Sequence, residues 1–190
     1  TGCWPWPAPR FIRIARFAPW IGAVIGGLAA ALWLLLSALN WQPAALAPVA
    51  LALELWLTGG LHLDGLMDTA DGLAAGNGRC LEAMDDSRVG ASGVQALVIV
   101  LLLQFSALVQ LDGLAPAALV TSAIFARVSP LWAMGRFGYL RSDGTASFHR
   151  SNWCGWREGL PTLLLLTLVA LLLFWLCLLY TSDAADEIAS

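Results

Sequence analysis

Five long apolar runs, at about Ala18–Leu39, Ala44–Thr58, Val94–Leu111, Ala115–Met134 and Leu160–Tyr180, constrain what this 190-residue chain can fold into. Their apolar residues are continuous and show neither the 3.6-residue period of an amphipathic helix nor the two-residue period of a half-buried strand. Each run approaches the roughly 20 residues that carry a helix across about 30 Å of hydrocarbon, the second being the shortest. With 59% hydrophobic residues and a mean hydropathy of +0.74, the chain lies outside the range of soluble domains. The expected fold class is therefore all-α, a polytopic integral membrane helical bundle of about five spans. Arg10, Arg13 and Arg16 precede an apolar run too long for a signal-peptide core, so no cleavable signal is expected.

The basic residues are all arginine, and their placement orients the bundle. Arg10, Arg13 and Arg16 precede the first run, Arg79 and Arg88 lie between the second and third, and Arg136, Arg141, Arg150 and Arg157 lie between the fourth and fifth. With five spans all nine fall on one side, which the positive-inside rule makes the cytoplasm. Only the turns near Asn40–Pro43 and Asp112–Leu114 are then left outside. His62 and His149 fall on the arginine side.

The net charge of −3 carries little information in such a chain, and no basic stripe with interleaved aromatics points to nucleic acid. Cys3, Cys80, Cys154 and Cys177 form no C-x-x-C pair, which disfavours zinc and redox chemistry. Tryptophans gather near run ends, at Trp20, Trp41, Trp153 and Trp156, where an amphipathic ring anchors at the membrane interface. No repeat or linker divides residues 1–180, which read as one domain. The composition turns abruptly small and acidic at 181–190, a tail expected to be disordered, and with Thr1 at the start the chain reads as a fragment.

Against this background the stretch GLHLDGLMDTADG, Gly60–Gly72, stands out. Only 12% of all residues are charged, yet it holds one histidine and three aspartates. On a helix Asp64, Asp68 and Asp71 stand at i, i+4 and i+7, within roughly 60° of one another on one face. Three carboxylates so close repel unless a cation neutralises them, and hard oxygen ligands suit Mg²⁺ that also holds phosphate oxygens. Gly65 and Gly72 weaken the helix but let a bulky group approach its backbone. The following loop, GNGRCLEAMDDSRVGASG, places Arg79 and Arg88 around Asp85 and Asp86. This alternation suits a metal–diphosphate site, with aspartates on the cation and an arginine fork on phosphoryl oxygens. Ser87, Arg88 and the glycines that follow also form a candidate nest of N–H groups for phosphate at the start of the third span. An exposed Asp86–Arg88 pair with Ser92 as a helix cap is the plainer alternative.

Two blocks, TGGLHLDGLMDTADGL and LEAMDDSRVGASGVQAL, closely resemble the integral-membrane cobalamin synthase family, the adenosylcobinamide-GDP ribazoletransferases. There a G-G-x-H-x-D-G-x-x-D-x-x-D-G block is followed by M-x-D-S-R-x-G. ARFAPWIGAVIGG and AIFARVSPLWAM are similar to the family's first and fourth spans, the latter with its embedded Arg127. The resemblance implies transfer of α-ribazole or its 5′-phosphate onto adenosylcobinamide-GDP with release of GMP, requiring Mg²⁺, at a bacterial inner membrane with cytoplasmic active-site loops. Carried over, Asp64, Asp68, Asp71 and Asp86 are the implied metal carboxylates. Arg88, with Arg79 and Ser87, is the implied phosphate and substrate contact, and His62 the group that deprotonates or orients the ribose hydroxyl. Implied partners are the two substrates and the bilayer, with no nucleic acid; homo-oligomerisation is left open. Family members continue beyond a fifth span to a further G-x-T-G-D motif, which has no match here.

The D-x-x-D-G-x-x-A-R core of CDP-alcohol phosphotransferases is met in part by Asp68, Asp71, Gly72 and Ala75, but Gly76 replaces the arginine. A cation transporter would carry its carboxylates at mid-membrane. Glu54 and Arg127, inside the second and fourth runs, each need a partner or a polar cavity.

Overall fold

In the computed structural model residues 13–138 and 149–189 are described, with side chains as far as Trp175 except that of Leu173. Arg10, Arg141, Cys3 and the side chain of Cys177 lie outside the described residues. Among the described residues the secondary structure is helical, as expected where no water is at hand to satisfy backbone N–H and C=O groups. The helices are α1 (Ala18–Ala38), α2 (Pro43–Thr58), α3 (Leu61–Ala75), α4 (Cys80–Asp85), α5 (Ala91–Leu111), α6 (Ala115–Arg136) and α7 (Leu160–Ala189). Short 3-10 turns precede α1, α6 and α7.

Each apolar run forms a helix, with differences in the number of spans. Three helical stretches are long and apolar enough to cross a membrane: Ile14–Ala38, Ala91–Arg136 and Gly155–Leu172. A fourth is added if α2 and α3, bent by 89°, count together. The 16 residues of α2 reach only about 24 Å at 1.5 Å per residue, so the second expected span is short by itself. Ala91–Arg136 holds 46 residues, about 69 Å or twice the hydrocarbon core, and is interrupted at Asp112, whose φ of 43° no helix continues. α7 runs past Tyr180 to Ala189.

The packing falls into two compact units, Val24–Ser122 and the remainder. The first holds the acidic segment. Its core is a cluster at one end of four helices, Ala29 and Trp33 of α1, Leu46, Ala47 and Ala50 of α2, Leu108 of α5, and Ala115 and Leu119 of α6. Alanines around a tryptophan that is 3% exposed let the helices approach closely. The turns after α1 and α5 both lie at this end, with Asn40 (φ 64°) in the left-handed region. At the other end of α2, Gly59 and Gly60 have φ of 60° and 73°. This conformation favours glycine and turns the chain through 89° into α3. The glycine pair therefore sets the acidic helix across the end of the unit opposite the turns.

In the other unit Arg13, expected only as a topogenic charge, donates from Nε to Glu158 Oε1 at 2.6 Å. Glu158 is 3% exposed and also accepts from the Cys154 N–H. Burial makes each charge of this pair depend on the other. Trp20 Nε1 donates to the Pro161 carbonyl at 2.9 Å. Arg127 is buried, and its Nη1 donates to the Ala123 carbonyl at 2.8 Å, one turn back on its own helix. Its stem lies against Gly22, where a Cβ would meet Arg127 Cδ at 3.0 Å and strike the Ala123 carbonyl. Glu54 belongs to the first unit.

Candidate functional site: the acidic helix and its loop

α3 starts at Gly60, its N-cap, and ends at Gly76 (φ 81°). Asp64 lies in its first turn, where a negative charge favours the helix dipole. Asp64 and Asp68 are one turn apart, which brings their Cβ atoms to about 5–6 Å. Asp64 and His62 are exposed and Asp68 half-buried. Asp64 also lines a cleft of about 450 Å³ between α2, α3 and α5, whose other walls include Leu55, Leu63, Met67, Leu97 and Leu101.

Asp71 is turned to a different task. Its Oδ2 accepts the Gly90 N–H and its Oδ1 the Gly93 N–H, both at 2.8 Å. Gly90 is the N-cap of α5 and has no side chain to satisfy the free N–H groups of the first turn. A carboxylate from α3 does so instead, with its charge at the positive end of the helix. Neither glycine tolerates a side chain: a Cβ on Gly93 would lie 2.5 Å from Asp71 Oδ2 and 3.0 Å from the Met67 carbonyl, and one on Gly90 would strike the same carboxylate. Two N–H groups of the candidate phosphate nest are thus occupied by the protein's own anion, and the expected nest at the start of α5 is corrected accordingly. Ser92 is not the cap.

The glycines of α3 also act differently from expectation. Gly72 is buried, and the group approaching it is α4: a Cβ there would meet Met84 Cγ at 2.6 Å and the Cys80 carbonyl at 3.1 Å. Gly65 has nothing within 4 Å. Arg79, exposed, is the N-cap of α4.

Asp86 and Arg88 are bound to each other. The Arg88 N–H donates to Asp86 Oδ1 (3.0 Å), Nε reaches both oxygens (3.1 and 3.0 Å), and Nη2 reaches Oδ2 (2.6 Å). These bonds, the guanidinium's first and the backbone N–H second, hold the Asp86 carboxyl down at about 2 against an ordinary 3.8. In turn they raise the Arg88 pKa. The Arg88 side chain is 88% exposed, so the pair is a solvated one of small net worth. Ser87 beside it is exposed.

The four implied metal carboxylates are therefore not gathered. Among the described residues no group of three or more histidine, cysteine, aspartate or glutamate side chains is arranged to hold a metal ion. Asp64 and Asp68 share a face, Asp71 is committed to α5, and Asp86 to Arg88. Magnesium is commonly held by one or two carboxylates together with substrate phosphates and water, a donor set that Asp64 and Asp68 fit.

A helical membrane protein with a carboxylate-bearing helix and an arginine loop laid across one end of a bundle is the class these features define. The chain matches the Cobalamin-5-phosphate synthase family over residues 3–186 and belongs to it. It is 61% identical over 167 residues to a protein of Prochlorococcus marinus (strain MIT 9303) named adenosylcobinamide-GDP ribazoletransferase, covering 87% of this chain and 64% of that one. Proteins of the same name from Thermosynechococcus vestitus and Desulfitobacterium hafniense are 40% and 37% identical, over 88% and 85% of this chain and 68% and 70% of theirs. This chain thus spans about two thirds of the length of these relatives. No solved structure matches it. Family membership sets aside the CDP-alcohol phosphotransferase and transporter readings.

Proposed function

We propose that the protein to which this chain belongs transfers α-ribazole, or its 5′-phosphate, onto adenosylcobinamide-GDP with release of GMP, at a bacterial inner membrane and with the acidic helix facing the cytoplasm. The pair Asp64 and Asp68 on one face of α3 carries the reading at the level of residues; the names of the relatives support it at the level of the reaction.

Attack on a diphosphate needs its negative charge neutralised and the attacking hydroxyl held in line. Asp64 and Asp68 would hold Mg²⁺, which when bound offsets the charge developing on the phosphoryl oxygens. Arg88 reaches from the loop into solvent and exchanges Asp86 for a phosphoryl group, to which its guanidinium can donate two parallel hydrogen bonds. Arg79 and Ser87 lie on the same segment as further contacts. His62, two residues before Asp64 and exposed, accepts the proton of the ribose hydroxyl or orients it. The largely apolar cleft beside Asp64 offers room for a substrate group next to the carboxylate.

The test is ribazole transfer by the full-length protein in lipid nanodiscs, following GMP release from adenosylcobinamide-GDP. Release that depends on α-ribazole or its phosphate and is abolished by Asp64→Asn supports the reading. Release indifferent to the acceptor counts against it.

A further inference from the structure

Asp71 is the last aspartate of the family's first charged block, yet its carboxylate has both oxygens on backbone N–H groups at the start of another helix. We propose that Asp71 is a positioning residue: it fastens α3 to the start of α5 and so sets Asp64 and Asp68 relative to the Asp86–Arg88 loop, and it does not ligate the cation. The proposal rests on the transfer reading of the acidic helix.

Three observations carry it. Gly90 and Gly93 both lack the side chain that would displace the Asp71 carboxylate, so donors and acceptor are matched at both ends of the contact. The Met67 carbonyl of α3 also lies 3.0 Å from where a Gly93 Cβ would stand, so the two backbones touch where Asp71 binds. The residues between the clasp's two ends, Gly72 to Val89, include Arg79, Asp86, Ser87 and Arg88. A loop closed at its base by Asp71 and packed through Met84 and Cys80 on Gly72 is held against α3 at two places. Asparagine cannot replace Asp71 here, because its amide would turn one N–H toward a backbone N–H that needs an acceptor.

The test uses the full-length protein in nanodiscs with Mn²⁺ alone as the metal probe, its binding followed by electron paramagnetic resonance, beside thermal unfolding. Asp64→Asn and Asp68→Asn are expected to weaken Mn²⁺ binding by about tenfold or more. Asp71→Asn is expected to lower the unfolding midpoint by about 2–8 °C while Mn²⁺ affinity stays within about threefold. Well below that midpoint it should lower the turnover rate without changing the Mg²⁺ concentration for half-maximal rate. The double variant Asp71→Ala with Gly90→Asp, which offers the Gly93 N–H a carboxylate from the N-cap position, should regain part of the lost midpoint. A loss of Mn²⁺ affinity of about tenfold or more in Asp71→Asn overturns the proposal, as do an unchanged midpoint, an unchanged turnover rate or no recovery in the double variant. If Asp71→Asn does not accumulate, Gly93→Ala keeps every carboxylate and presses on the clasp and on the Met67 carbonyl beside it. A lowered midpoint with unchanged Mn²⁺ binding then supports the proposal, and an unchanged midpoint overturns it. Unfolding and Mn²⁺ binding do not depend on transfer, so a protein without ribazoletransferase activity would fail the assay of the preceding section and leave these two readouts standing.

Discussion

Asp71 Oδ1 accepts the Gly93 N–H at 2.8 Å from a helix nineteen or more residues away in sequence, in a space that a methyl group on Gly93 would fill. The contact makes a carboxylate from α3 the cap of α5 and engages both of its oxygens there, although Asp71 stands on the same angular face as Asp64 and Asp68. Charge, close packing and helix capping meet in one pair of residues.

The two interior glycines of α3 should respond in opposite ways to the same substitution. Gly72→Ala forces a Cβ to within 2.6 Å of Met84 Cγ and 3.1 Å of a backbone carbonyl, which is expected to cost about 1–3 kcal/mol by overpacking. Gly65→Ala meets nothing within 4 Å and should stabilise the helix by up to about 1 kcal/mol. Thermal unfolding of the two variants checks the signs.

Substitution of either Asp64 or Asp68 by Asn should lower ribazole transfer by about a hundredfold or more while the protein inserts and unfolds normally, as expected when a transition-state charge loses its counter-ion site. GMP release measured across a Mg²⁺ titration checks this, and near-normal turnover in both variants would exclude them as the metal pair.

Arg88→Lys tests the phosphate contact. Lysine supplies the charge without the fork, so binding of the GDP-activated substrate should weaken by about 1–3 kcal/mol if Arg88 donates to its phosphates. A partner of Asp86 alone would cost under about 1 kcal/mol of stability and leave affinity unchanged. Isothermal titration at saturating Mg²⁺ distinguishes the two.

The Asp86–Arg88 pair also predicts a pH dependence and its sign. The folded-state pKa of Asp86, about 2, lies below the ordinary 3.8, so its contribution is fully present above pH 3.8 and is lost as pH falls through 2. The carboxyl carbon of Asp86 should therefore titrate near pH 2 by nuclear magnetic resonance and return toward 3.8 in Arg88→Ala. Between pH 5 and 8 the pair should be insensitive.

Sidedness is checked by labelling single cysteines. Cys80 lies between α3 and α5 at the acidic end of its unit, and Asn40 lies in the turn at the other end. In a chain with its other cysteines changed to serine, an impermeant maleimide should reach Cys80 from the cytoplasm only and Asn40→Cys from outside only; Cys80 labelled from outside would reverse the orientation.

Apolar run length by itself determined that the described residues form long helices and roughly where these begin, because hydrocarbon leaves the backbone no partner but itself. The spacing of Asp64 and Asp68 likewise placed two carboxylates on one helical face, since 3.6 residues per turn is a local property. What spacing cannot express is which neighbour a side chain meets. Asp71 shares the angular face of the other two aspartates, and only the close crossing of α3 with α5 gave it the Gly90 and Gly93 N–H groups. The same holds for Gly72, read as room for a ligand and filled by Met84, and for Glu158, buried on Arg13 from 145 residues away. One signal was present at the start of α5: a helix whose N-cap is glycine has no N-cap side chain to satisfy its first N–H groups, which leaves them open to an acceptor from elsewhere. Helix length, turns and the period of a face are set between near neighbours in the chain, whereas the partner of a charge is set by packing among segments far apart, which the tertiary structure alone decides.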